Sequence, residues 1–142
     1  MTDLRPPVLD DYGLAAALHW YGEQFARRTG IAVAVEGEEL APRLAARVES
    51  VLFHIAQEAL TNVAKHARAK NITVTAQVQG DMLRLVVADD GIGFDSAHMT
   101  EPGGNHGWGL LIMTERAEAV GGRCQIESIP GHGTQVIVEV AR

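Results

Sequence analysis

Apolar residues recur at three- and four-residue intervals from Arg47 to Ala69, at Val48, Val51, Leu52, Ile55, Ala56, Ala59, Leu60, Val63, Ala64 and Ala67. That spacing predicts one amphipathic helix of about six turns. Leu14, Ala17, Leu18, Tyr21 and Phe25 repeat the interval and predict an earlier helix from Leu14 to Arg28, closed near Gly30. A third helix is expected from Leu110 to Val120, stopped by Gly121 and Gly122. Elsewhere the period is two. Ile31 to Glu36 suits a first strand, and Ile72 to Gln79 alternates strictly before Gly80-Asp81 turns the chain into Met82 to Asp89. Arg123 to Ile129 and Thr134 to Ala141 predict a final hairpin around residues 130–133. Gly37 to Pro42 is expected to turn, and Ser96 to His106, which has no period, to form a mobile loop. The adjacent prolines of LRPPVLDD, residues 4–11, predict an extended connector rather than helix. About five strands and three helices long enough to cover one side of a sheet give a two-layer α+β sandwich.

Size and composition narrow the classes. A chain of 142 residues makes one domain with one core, and no stretch approaches the roughly 20 apolar residues of a membrane helix. Twelve basic against eighteen acidic residues give a net charge of -6, which argues against a nucleic-acid surface. A nucleotide is not excluded, because one metal ion and a few backbone amides hold a triphosphate in an acidic protein. The single cysteine, Cys124, excludes an internal disulfide and fits a small core residue in its apolar segment. The six histidines show no zinc spacing, and MTDLRPPVLDD has no secretion-signal pattern, so a cytoplasmic location is expected.

The second face of the long helix carries His54, Glu58, Asn62 and then Lys65 or His66, a carboxylate, an amide and a cation in one row. An Asn in mid-helix loses about half a kcal/mol of propensity relative to Ala, so it asks for a reason. A solvated helix face is one account. Another is magnesium, which keeps several waters and takes further oxygens from substrate phosphates, so one amide and one nearby carboxylate are enough protein. A lysine a turn later then meets phosphate as a point charge.

Three further stretches bear on chemistry. Asp89-Asp90-Gly91-Ile92-Gly93 follows an apolar strand, which delivers the first carboxylate to a partly dry sheet end where it can accept from an exocyclic amine such as adenine's. The same letters are also ordinary turn chemistry. Gly107-Trp108-Gly109-Leu110 opens a helix whose free amides suit phosphate, although neither a P-loop nor G-x-G-x-x-G is present. Trp108 suits a docking residue or a pocket wall equally. Thr134, after Gly133, offers a hydroxyl, and strand propensity explains it as well.

Taken in order, E-A-L-x-N-x-x-K-H over Glu58 to His66, D-x-G-x-G over Asp89 to Gly93, G-x-G-L over Gly107 to Leu110 and G-T at Gly133-Thr134 resemble four boxes of one family. These are the N, G1, G2 and G3 boxes of the catalytic ATP-binding domain of bacterial sensor histidine kinases, the Bergerat fold of the GHKL superfamily. LRPPVLDDYGLAAAL and GLLIMTERAEAVGG look most like the nitrate/nitrite-sensor and DesK-type group. The resemblance implies a mixed sheet with three helices on one face and Mg-ATP as ligand. It implies that Asn62 ligates magnesium, with Glu58 holding a metal-bound water or assisting as base, and that Lys65 and His66 face the phosphates. Asp89 would recognise the adenine amine, with Gly91, Ile92 and Gly93 beside the base and Thr134 near it. Residues 94–106 would form the ATP lid, and Gly107, Gly109 and Leu110 would line the phosphate end.

The family passes phosphate to a histidine on a separate helical dimerisation domain and from there to a response regulator. None of His19, His54, His66, His98, His106 or His132 has the surroundings of that acceptor. Residues 1–13 are therefore expected to be a linker from a missing dimerisation domain, and residues 14–142 a monomeric catalytic domain that binds ATP without labelling itself. No F box is evident between G1 and G2, and the lid is short. The competing expectations are an anti-sigma-factor-type serine kinase, a chaperone or topoisomerase ATPase lacking its transducer segments, or a regulatory nucleotide-binding domain without catalysis.

Overall fold

The computed structural model describes residues 6–37, 43–93 and 107–141, and of residues 107–110 the main chain alone. The chain runs α1 (Pro7–Thr29), β1 (Ala32–Gly37), α2 (Ala46–Asn62), a π-helical turn (Val63–Ala67), β2 (Asn71–Gln79), β3 (Met82–Asp89), α3 (Gly107–Ala119), β4 (Arg123–Ser128) and β5 (Thr134–Ala141). The sheet order is β1-β2-β3-β5-β4. β1 pairs parallel with β2 through the α2 crossover, and every other pairing is antiparallel, so the sheet is mixed as expected.

Alternation decides which face is covered. Val33 pairs with Ile72, Val74 with Val87, Leu83 with Val140, Leu85 with Val138 and Ile126 with Val136, so the apolar members of all five strands fall on one side. The helices lie on that side. Phe25, Leu52, Phe53, Ile55, Leu60 and Met113 close the core against it, almost without solvent contact. The other side carries Thr73, Thr75, Gln77, Arg84, Gln125 and Glu139, and Ile137 is its one well-buried apolar residue among those described. The expected two-layer sandwich is what forms. No helix among the described residues is long and apolar enough to cross a membrane.

Two local expectations give way. The prolines of LRPPVLDD do not hold the chain extended, since α1 already begins at Pro7. Proline suits a first helical position, because the N–H it lacks has no intrahelical partner there and its fixed φ is helical. The amides of Leu9 and Asp10 both reach the Pro6 carbonyl. The helix then breaks at Gly13 (φ 87°, ψ -175°) and resumes. Arg43 spans this kink, with its guanidinium bidentate on the Glu49 carboxylate (2.9 and 3.1 Å) and also donating to the Leu9 carbonyl. Glu49 is only 2% exposed and Leu9 fully buried, so the lead-in helix is packed into the domain. The second departure is in α2, where regular helix stops at Asn62 and the rest of the predicted run is a widened π turn ending at Ala67. Arg68 then leaves in the left-handed region (φ 52°). The turn predicted after Gly37 and the loop from Ser96 to His106 lie outside the described residues.

Candidate functional site

The inward rows of β3 and β5 end in polar residues at the same end of the sheet. On β3 the row is Leu83, Leu85, Val87, Asp89, and on β5, read backwards, it is Val140, Val138, Val136, Thr134. Val87 faces Val136 and Asp89 faces Thr134 in register. α2 and the π turn after it cover these rows, and Ala59 on the helix with Val63 and Ala67 on the turn line the space beside the strand ends. Alanines at two of those three positions leave room. The result is a solvent-open cleft, walled by these residues with Val87 and Val136 and lined as well by Asn62, His66, Asp89 and Thr134. An apolar slot with a few convergent polar groups is the ordinary make-up of a small-molecule site.

Asp89 is the electrostatic centre of the cleft. Burial pushes its carboxyl above the usual carboxylate range, the amides of Gly91 and Thr134 pull it back, and the neighbouring Asp90 adds a smaller upward push. The Gly91 amide donates to its Oδ1 at 2.8 Å. Asp90 does a different job. Its carboxylate accepts from the Lys70 and Asn71 amides (2.9 and 3.0 Å) and from the Asn71 side-chain amide (2.8 Å), tying the end of β3 to the start of β2. These donors, the Asn71 side chain foremost, draw its pKa down to about 2. Of the two adjacent carboxylates, one makes the turn and the other faces the cleft.

The sign of the Asp90 shift gives a testable consequence. A depressed folded-state pKa means stabilisation fully present above the ordinary value near 3.8 and lost as pH falls through about 2. Nuclear magnetic resonance of the Lys70 and Asn71 amides should show both bonds persisting at pH 4 and releasing between pH 3 and 2, about the depressed value. Amides that release together with solvent-exposed carboxylates near pH 4 would show that Asp90 does not hold this turn.

Glycines let three loops meet beneath the cleft. A Cβ on Gly91 would overlap the Ala67 carbonyl oxygen, one on Gly93 the Ile129 carbonyl oxygen, and one on Gly133 the Asp89 carbonyl oxygen. Ile92 joins the same loops through its main chain, its amide donating to the Ala67 carbonyl (2.7 Å) and its carbonyl accepting from the Gly131 amide (2.6 Å). Its side chain is half exposed.

The expected site residues therefore separate. Asn62, His66, Asp89, Gly93 and Thr134 come together in the cleft. Gly91 is buried beneath it, and Glu58 and Lys65 stand on the same helical run outside the cleft lining, Lys65 exposed. His54, the first member of the predicted row, is turned back on its own helix, Nδ1 lying 2.7 Å from the Ser50 carbonyl. Gly107, Gly109 and Leu110 open α3, as a helix-start site requires, while their side chains and the lid residues 94–106 lie outside the described residues. Sequence reasoning did not single out Val87, Val136 or Ser128, which sits behind Thr134. The inward rows of β3 and β5 carried the signal for the two valines. A wider groove beside Gly13 is lined by the Arg43–Glu49 pair, with Asp11.

The profile of the family described as histidine kinase-, DNA gyrase B-, and HSP90-like ATPase matches residues 47–142. An uncharacterised sensor-like histidine kinase of Chloroflexus aurantiacus is 41% identical over 99% of this chain, the oxygen sensor histidine kinase NreB of Staphylococcus carnosus 38% over 98%, and the histidine-protein kinase/phosphatase DegS of Bacillus subtilis 38% over 96%. The chain spans only 24%, 39% and 36% of those proteins. Among solved structures, the histidine kinase domain of the Erythrobacter litoralis blue-light activated kinase superposes with a TM-score of 0.76 at 22% identity, covering 90% of this chain and 60% of that one. Full-length ShkA in complex with AMPPNP gives 0.69 at 23% identity, over 91% of this chain and 29% of that one. At such identities the superpositions speak for the fold, and the family match speaks for descent. The chain belongs to the histidine kinase-, DNA gyrase B-, and HSP90-like ATPase family.

Proposed function

We propose that the cleft holds Mg-ATP with its adenine against Asp89 and Thr134 and its phosphates toward Asn62. In this reading the domain transfers the γ-phosphoryl group to a histidine on a separate dimerisation domain, from which a response regulator is served. The observation that carries it is the half-buried Asp89 carboxylate, held by backbone amides in a largely apolar cleft that Asn62 also lines. A purine offers an amine to such an acceptor and two flat faces to Ala59, Val63, Val87 and Val136. The curated relatives, all histidine kinases, favour this reading over the serine-kinase alternative.

The residues present fit a magnesium ion of limited demands. Among the described residues no three His, Cys, Asp or Glu side chains come together as a metal cluster. Magnesium that keeps water and phosphate oxygens in its shell needs none, and in this reading the Asn62 amide would supply one oxygen, with Glu58 one helical turn earlier. When bound, the ion would neutralise charge on the phosphates. The chain's own contribution is positioning: Asp89 fixes the base, the apolar walls exclude water from it, and Lys65 and His66 stand on the π turn toward the phosphate side. The lead-in before Leu14, reached through the Gly13 kink, would connect to the dimerisation domain, and the isolated domain would be a cytoplasmic monomer.

Calorimetric titration with ATP and GTP, each with and without magnesium, tests the assignment. Adenine-selective, magnesium-dependent binding is expected, and binding of neither nucleotide would sink it. Asn62→Ala should abolish the magnesium dependence while leaving weak metal-independent binding of the base. A variant as magnesium-sensitive as the parent would place the metal elsewhere.

A further inference from the structure

Ser128, the last residue of β4, is 6% exposed and takes no part in the cleft lining. Its Oγ lies 2.7 Å from the Thr134 Oγ1 and 3.2 Å from the Gly133 carbonyl oxygen. Thr134 is the cross-strand partner of both Ser128 and Asp89, so the three residues stand side by side on the inward face. We propose that Ser128 is a positioning residue for base recognition, turning the Thr134 hydroxyl into a donor aimed at the purine. The proposal rests on the reading that this end of the cleft holds adenine.

Counting protons gives the mechanism. In adenine the exocyclic amine is flanked on both sides by ring nitrogens, N1 and N7, which only accept. If Asp89 takes the amine, the ring nitrogen beside it suits a donor next to Asp89, and the Thr134 hydroxyl is a neighbour with a proton to give. A donor behind that hydroxyl, bonded to its oxygen, holds its proton toward the base. Without ligand, Thr134 donates to Ser128 and Ser128 to the Gly133 carbonyl. With adenine present both hydroxyls turn over, so that Ser128 donates to the Thr134 Oγ1 and Thr134 donates to the ring nitrogen. The reversal gives up the 3.2 Å contact, longer than the usual O–H···O range, and the Gly133 carbonyl keeps the Ile129 amide. The short Ser128–Thr134 contact is used in both orders, with the donor exchanged.

The test compares ATP with 1-deaza-ATP, 7-deaza-ATP and the triphosphate of purine riboside, which lacks the amine, on wild type and Ser128→Ala by calorimetry. Ser128→Ala should weaken ATP by roughly three- to tenfold, the reach of one neutral hydrogen bond. It should leave unchanged whichever deaza analogue lacks the nitrogen that Thr134 addresses, and Ser128→Thr, which restores a hydroxyl, should recover ATP affinity. A merely structural role would weaken ATP and both deaza analogues alike, and that pattern, or no loss of ATP, overturns the proposal. If wild type binds the amine-less triphosphate as tightly as ATP, the adenine reading itself is wrong. Should Ser128→Ala fail to fold, Ser128→Cys, a bulkier residue with a weaker donor, is held to the same pattern.

Discussion

Asp89→Asn should weaken ATP by about 10- to 150-fold, the 1.5 to 3 kcal/mol typical of a hydrogen bond to a charged acceptor. The folded domain should survive it. Half-burial disfavours the charged form of Asp89, so neutralising the side chain removes that cost while forfeiting part of the bonding to the Gly91 and Thr134 amides. Melting close to wild type with affinity lost is the expected pair of results. GTP, which offers a carbonyl where adenine offers an amine, should not weaken in parallel. A comparable loss for GTP would mean that the carboxylate does not read the amine. The raised pKa adds a pH signature, because the acceptor is present above the folded pKa and protonated below it. ATP binding should therefore fall at a higher pH than a solvent-exposed carboxylate would set.

The second large effect compares two glycines of one turn. Gly131 and Gly133 both have φ near +82°, but a Cβ on Gly131 meets open space whereas one on Gly133 meets the main chain of Asp89 and Asp90. Gly131→Ala should cost only the left-handed strain, about 1 to 2 kcal/mol. Gly133→Ala adds overpacking against backbone that cannot swing aside, for a total of about 3 kcal/mol or more. It should also displace Asp89 and with it ATP affinity, which Gly131→Ala leaves intact. Denaturant unfolding of both variants, followed by nucleotide titration, makes the comparison. Equal losses at the two positions would show that the turn yields and that the close approach to Asp89 does not set the site.

Much of this was legible in the chain. Strict alternation in ITVTAQVQ and MLRLVVAD gave the hairpin and, with it, the inward row that ends at Asp89. The helical interval from Val48 to Val63 gave the helix that roofs the cleft. Other features were not legible, each for a local reason. Adjacent prolines suggest extended chain unless the second falls on a first helical position, and only the packing of Leu9 and the Arg43–Glu49 pair shows that it does. The π turn leaves no periodic mark in so short a stretch, yet Asn62 and His66 line the cleft while Lys65, one residue away, is exposed.

By itself the sequence determined the type and order of the elements, because burial periodicity of 2 or 3.6 is a property of neighbours along the chain. It also determined which residue types were available for chemistry. Tertiary structure decided which of two adjacent carboxylates faces the cleft. Asp90 is captured by three donors around Lys70 and Asn71, distant in sequence, and Asp89 is left to the cleft. It decided as well that the glycines of the two loops make room for main chain, and that a buried serine on β4 stands behind the threonine of the site. These outcomes depend on contacts between strand ends and loops that meet only once the sheet has formed, and no spacing along the chain encodes them.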